Sequence, residues 1–389
     1  MQLKQTWRWF GPDDPVTLQD VLQTGASGIV NALHQIPHGD VWPIEEIQKR
    51  KDMIEAAGLR WDVVESVTVH ESIKTRTGNY KHYIELYKET LRNLAECKIK
   101  IVTYNFMPVT DWTRTNLDHI MPDGSRALYF NWFDLAVFDV YVLKRKNAEA
   151  SYDNIVLAEA AKRHKEYSQS KLDELTKMIL FGLPGEKKIT TREVLEKLEW
   201  YKDVNHEALR QNLKYFLQQV SPVADELGIK LAIHPDDPPF DVLGLPRVVC
   251  NADDINFLLS SVPDESNGIC FCTGSLGARA GNDLPAIVRN IGARLHFVHL
   301  RNTTRDEFGN FYEADHLGGD TDMYTVVKEI LTIQQKAGEP IPFRPDHGHV
   351  MLDDVNKVTN PGYSCIGRMR GLAELRGLML GISRSEGWD

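Results

Sequence analysis

The chain has 389 residues, 42% of them hydrophobic, and a formal net charge of -10 at pH 7. That length gives a prior of two or three domains, although α/β barrels run past about 250 residues as one, and the apolar content is enough for a large core. The acidic balance, with no Lys/Arg run beyond short pieces such as KRKNAEAS at Lys144, excludes nucleic acid as the expected partner.

No stretch approaches a run of about 18 apolar residues, so no membrane span is expected. The N-terminal MQLKQTWRWFGP has no apolar signal region. The five cysteines, Cys97, Cys250, Cys270, Cys272 and Cys365, are odd in number and scattered, which argues against a disulfide framework. A cytoplasmic protein with reduced thiols is expected.

Short apolar, β-branched runs alternate with amphipathic stretches along the chain. Strands are predicted at Thr6–Phe10 (TWRWF), Gly28–Leu33, Trp61–Glu65, Ile99–Tyr104, Lys230–His234, Gly268–Cys272, Leu295–His299 and Ile341–Pro345. Several are apolar on both faces, as parallel strands covered on both sides must be. Helices follow most of them: Val41–Ala57 capped by Asp40, Tyr80–Cys97, Glu207–Leu227, Ala252–Ser261 capped by Asn251, Thr321–Ala337 capped by Asp320, and a closing Gly362–Ile382. Eight strand–helix units predict an α/β fold, a single (β/α)8 barrel over residues 1–389 with its catalytic face at the strand C-termini. A doubly wound sheet lacks its fingerprint here, because no GxGxxG follows the first strand.

One connection is too long for a barrel loop. About 100 residues, 106–205, follow the fourth strand, and NWFDLAVFDVYVLKR, NIVLAEAAKRHKEYS and KLDELTKMILFGLPG within them have helical patterns. A mainly helical insertion is predicted, capping the catalytic face because it leaves from a strand C-terminus. GPDDP at Gly11 and LPGEKK at Leu183 read as turns.

Polar residues gather where barrel chemistry is placed. The fifth strand ends at His234, the sixth at Cys272 and the seventh at His299, and the eighth runs into Asp346. Those strands are consecutive, so the four tips converge, and imidazole, thiolate and carboxylate together suit a divalent ion. Ligand softness alone favours zinc. Cys270 points to the same side as Cys272, but Cys272 is nearer the tip. Arg8, Arg301 and Arg344 are placed to bind a carboxylate, and Asn105 ends the fourth strand. His34 and His38 read as loop residues, Asp236 and Asp237 as turn formers or substrate contacts, and His349 remains without a role.

These motifs resemble the D-mannonate dehydratase family, metal-dependent enzymes of hexuronate (glucuronate) catabolism. The matching stretches include QTWRWFGPDDPV, YNFMPVTDWTRT, AIHPDDPP, CTGS, HLRN, RPDHGHVMLDD and NPGYS, and they span nearly the whole chain. The resemblance implies a barrel of the xylose-isomerase type. It implies manganese, or another divalent ion, on His234, Cys272, His299 and Asp346, and acid/base roles for His347 and Tyr363. The implied reaction is loss of water from D-mannonate, an acid sugar, to give 2-dehydro-3-deoxy-D-gluconate. Arg8, Arg301, Arg344 and Asn105 are the expected substrate contacts, with His347 leaning to the acid role and Tyr363 to the base. A homo-oligomer, a dimer, is expected. The alternative is a metal-dependent aldose–ketose isomerase on the same barrel, which would move a proton without losing water.

Overall fold

The computed structural model describes residues 1–181 and 189–388. Twelve strands are present among them: β1 (Lys4–Arg8), β2 (Gly28–Asn31), β3 (Arg60–Glu65), β4 (Ile101–Tyr104), β5 (Asn116–Ile120), β6 (Arg126–Phe130), β7 (Lys230–Ile233), β8 (Asn267–Cys272), β9 (Leu295–His299), β10 (Asn302–Arg305), β11 (Phe311–Ala314) and β12 (Pro342–Arg344). Eight close into a barrel in the order β1-β12-β9-β8-β7-β4-β3-β2. All the pairings are parallel. The predicted (β/α)8 architecture is therefore the one observed. The LPGEKK segment and the end of the helical pattern before it lie outside the described residues.

Side-chain alternation explains how one sequence fills two layers. Val30, Val63, Ala232, Cys270 and Phe297 point inward and pack together in the barrel. Trp7, Ile29, Val64, Val102, Leu231, Ile269, Phe271 and Val298 are fully buried and belong to the larger core shared with the helices. Among the described residues, no helix is long and apolar enough to cross a membrane.

Several boundaries differ from the sequence reading. The first strand stops at Arg8, leaving Trp9 and Phe10 in the loop above it. The second helix begins at Ile44 after Pro43, not at Val41 after Asp40, because a residue before proline is kept out of the helical conformation, so the helix cannot run through Trp42. The helix before β12 is capped by Asp322, not Asp320; Asp320 instead accepts from Arg305 N. The last helix runs Cys365–Ser385, three residues later than expected.

The insertion is mixed rather than simply helical. It holds the helices Trp132–Ala136, Asn154–Glu166, Gln169–Ile179 and Thr191–Trp200, and a π-helical stretch Val137–Leu143. It begins, however, with the β5–β6 hairpin, which joins β10 and β11 in an antiparallel sheet of order β10-β11-β6-β5. That sheet couples the insertion to the loop after β9. Phe130, Leu135, Phe138 and Phe311 form its own apolar core.

The turn after β12 is clamped by close backbone contact and by Ser364 Oγ, which donates to His349 O at 2.6 Å. Gly348 N donates to Gly362 O at 2.9 Å. A Cβ on Gly348 would lie 2.3 Å from Arg368 N and 2.4 Å from the Gly367 carbonyl carbon. No side chain fits between that turn and the last helix. Gly348→Ala should therefore destabilise the protein by about 1–3 kcal/mol through overpacking. Chemical denaturation checks this, and an unchanged unfolding midpoint would contradict the clamp.

Candidate active site

Each strand tip delivers one donor. His234 follows β7, and its backbone N donates to Tyr104 O at 2.7 Å. Its Nδ1 donates to Pro235 O at 2.7 Å, which turns Nε2 toward His299 Nδ1 at 3.1 Å. Asp346 Oδ2 is 3.8 Å from that same His299 nitrogen and 3.7 Å from Cys272 Sγ. Asp346 adopts a left-handed backbone, φ 60°, a conformation Asp tolerates better than most residues. Donors around one ion at 2.0–2.3 Å are themselves about 3–4 Å apart, and the successive separations His234–His299, His299–Asp346 and Asp346–Cys272 fall in that range.

The two cysteines differ in protonation. Burial would raise the Cys272 thiol, but Arg301 and hydrogen bonds from His234 and His299 outweigh it and hold the thiol well below its usual range. Ser275 N and Oγ also donate to Cys272 Sγ, at 3.4 and 3.2 Å. Cys270 is pushed well up by burial, then by Glu65 and Cys272. Its Sγ sits 3.5 Å from His299 Nε2, the ring nitrogen facing away from His234. Two overlapping trios, His234–Cys270–His299 and Cys272–His299–Asp346, are close enough to ligate an ion. The thiolate favours the second trio, with His234 joined to it through His299. Burial opposes charge on His234, yet the Cys272 thiolate, Glu65 and Asp346 lift the imidazole to about 9. A histidine drawn into carrying a proton marks a place where positive charge is wanted, which fits a cation.

The three predicted arginines have different surroundings. Arg344 donates to both oxygens of Glu65 at 3.0 Å and pairs with Asp346. Arg301 Nε lies 2.5 Å from Asp346, and its terminal nitrogens reach Asp237, Glu313 and Ser275. Both are committed to protein carboxylates. Arg8 is buried too, but it donates to His34 Nε2 at 2.8 Å and Val30 O at 3.4 Å. Burial and Arg8 push His34 down to about 3, so it accepts as a neutral ring. Arg8, Asn105, Arg301 and Arg344 all line one cavity with His347 and Tyr363. Asn105 donates to Asp111 at 3.2 Å. His38 lines an adjoining cavity instead.

His347 and Tyr363 meet edge to face at 5.1 Å. The clamp at Gly348 brings them together although they are sixteen positions apart in sequence. Burial pushes the Tyr363 phenol up to about 12 despite Arg344 and Arg8 nearby. Asp346 is held well below the usual carboxylate range: burial opposes this, and Arg344, His347, His299 and Arg301 prevail. Of the residues with open readings, Asp237 pairs with Arg114 and Arg301. Asp236 accepts from Val248 N and Val249 N. His349 donates to Glu313 O at 2.8 Å, away from the cluster of donors.

Sequence reading did not single out Arg114, Trp112 or Glu313. Glu313 carried a faint signal, since FYEA alternates and puts a carboxylate on the same strand face as Phe311.

Residues 3–387 match the family described as D-mannonate dehydratase (UxuA). The chain is 53% identical to a mannonate dehydratase of Marinomonas sp. (strain MWYL1), covering 98% of this chain and 99% of that one. It is 49% identical to a mannonate dehydratase of Saccharophagus degradans, with 97% of each covered. The crystal structure of mannonate dehydratase from Streptococcus suis serotype 2 superposes with a TM-score of 0.79 at 33% identity, over 99% of this chain and 95% of that one.

Cys272→Ser should lower the divalent metal retained after gel filtration at least tenfold, the scale of losing one well-oriented ligand. Cys270→Ser should retain it. Metal analysis of both variants decides, and an equal loss in both would reject the choice of thiolate.

Proposed function

The chain belongs to the D-mannonate dehydratase family, and from that premise we propose how its strand-end site removes water from D-mannonate to give 2-dehydro-3-deoxy-D-gluconate. The observation that carries the reading is the convergence of His234, Cys272, His299 and Asp346 beside the paired His347 and Tyr363 rings. The four donors would hold a divalent ion, with manganese as the ion we propose. Bound there, it would supply Lewis acidity for the charge that builds up when a proton leaves carbon next to a carboxylate.

The substrate anion needs a cation of its own. Arg8 is the candidate, because Arg301 and Arg344 already serve protein carboxylates while Arg8 donates only to neutral acceptors. Binding the substrate carboxylate there leaves C2 and C3 to face the ring pair.

We assign proton removal at C2 to His347 and proton donation to the C3 hydroxyl to Tyr363. This reverses the direction expected from the sequence, for a physical reason. A phenol pushed up to about 12 holds its proton near neutral pH and can give it away. His347 instead has a carboxylate behind it, Glu313 Oε1 at 3.2 Å from Nδ1, the arrangement that stabilises an imidazole as it gains a proton. The C2–H bond breaks toward His347, the C3–O bond breaks as Tyr363 protonates the oxygen, and water departs. The enol left behind ketonises to the 2-keto-3-deoxy acid. Aldose–ketose isomerisation uses no acid on a leaving hydroxyl, and family membership favours dehydration over it.

Incubation of the manganese-loaded protein with D-mannonate, D-gluconate and free aldoses should yield a 2-keto-3-deoxy acid from D-mannonate, and none after chelation. Interconversion of aldoses without that acid would support the isomerase instead. Tyr363→Phe should retain metal and lose at least about 100-fold in product formation, while still exchanging the C2 hydrogen with deuterated solvent. His347→Asn should lose both. Exchange surviving in His347→Asn and not in Tyr363→Phe would invert the assignment.

A further inference from the structure

β11 approaches the catalytic face from outside the barrel and carries one buried carboxylate. Glu313 Oε1 lies 3.2 Å from His347 Nδ1. The same oxygen accepts from Arg114 Nη2 at 2.8 Å and from Arg301. Arg114 also donates to both oxygens of Asp237, at 2.7 and 3.1 Å, and Arg301 reaches that carboxylate as well. Two guanidiniums and two carboxylates thus close a ring of ion pairs. The side chain of Arg114 is 0% exposed and that of Glu313 5%. Arg114 is stacked between Trp112, 5.1 Å from its ring, and Phe311, 4.9 Å.

A carboxylate gripped by two guanidiniums in a dry site cannot swing away without stranding charge. An imidazole facing it is held with an N–H turned toward it, and the tautomer is fixed by that hydrogen bond. The other ring nitrogen, Nε2, then faces Asp346 Oδ1 at 3.8 Å, on the side of the cavity. The ring also packs against Gly362 and against the aromatic rings of Tyr363 at 5.1 Å and Trp112 at 6.0 Å, and these contacts do not select a nitrogen.

We infer that Glu313 is a positioning residue that fixes the His347 ring with Nδ1–H toward itself and Nε2 toward the substrate, and that Arg114 of the insertion holds Glu313 in place. The insertion and its sheet are then part of the catalytic apparatus and not only a cover. This rests on His347 being a proton-transfer group.

Two measurements test it. Glu313→Gln, which keeps the shape of the side chain, should lower kcat at least 100-fold while leaving metal content unchanged and KM for D-mannonate within twofold, in keeping with the scale seen when a carboxylate behind a catalytic histidine is replaced. In the zinc-loaded, diamagnetic enzyme, ring 15N shifts should show His347 protonated at Nδ1 in the parent protein and shifted toward the Nε2–H form in Glu313→Gln. The resonance is assigned by its loss in His347→Asn. If Glu313→Gln does not fold, Glu313→Asp keeps the charge, withdraws the oxygen from Nδ1 and should show the same kcat loss. An Nε2–H ring in the parent protein, or parental kcat in the variant, overturns the inference. So does a loss of metal together with a rise in KM, since that describes a structural role. Parental turnover in His347→Asn would instead remove His347 from the reaction, while the NMR result would still decide whether Glu313 sets its tautomer.

Discussion

Ionised groups taken out of water must be compensated where they stand, and the catalytic face is organised by that requirement. Arg114, Arg301 and Arg344 are paired with Glu65, Asp237, Glu313 and Asp346, and Arg8 stands beside them bonded only to neutral acceptors. Cys272 adds one negative charge as a thiolate. Arg8, which donates to no carboxylate among the described residues, is where the charge of a substrate carboxylate would be compensated. A buried guanidinium bonded only to neutral groups suits an anionic acid sugar better than an uncharged aldose.

The barrel alone does not provide this balance. Its strand ends carry the proposed ion donors and three of the arginines, but Arg114 comes from the insertion and Glu313 from the strand that pairs with the insertion's hairpin. The accessory sheet is therefore what brings the outer half of the charge network against the barrel. Clamping of the turn after β12 against the last helix does the complementary job for His347 and Tyr363. Precision at the reacting atoms then comes from packed backbone and paired charges, not from mobile loops.

The strand tips were readable because parallel barrel strands leave a double signal, an apolar run and a polar residue where it stops. His234, Cys272, His299 and Asp346 were found that way, and the eight-strand barrel with them. The accessory sheet was not found, because its strands are partly exposed and mix polar with apolar residues, so none carries the continuous apolar run that marks a barrel strand. The hairpin turns did leave a trace: Gly124 in PDG and Gly309 in DEFG both take positive φ between paired strands. Glu313 and Arg114 were hidden for a different reason. Their partners lie 199 residues apart in sequence, and no local pattern encodes a pairing made only by the fold. The three arginines looked equivalent as residue types, and their separation into Arg8 and the committed pair is a property of three-dimensional neighbours.

The most direct test of this account is a crystal of the Tyr363→Phe protein with manganese and D-mannonate, measured at the manganese absorption edge. The account predicts one anomalous peak bounded by His234 Nε2, Cys272 Sγ, His299 Nδ1 and Asp346, with the substrate carboxylate on Arg8 and C2 nearest His347 Nε2. A peak bounded by Cys270 in place of Cys272, or a substrate carboxylate lying away from Arg8, would contradict it.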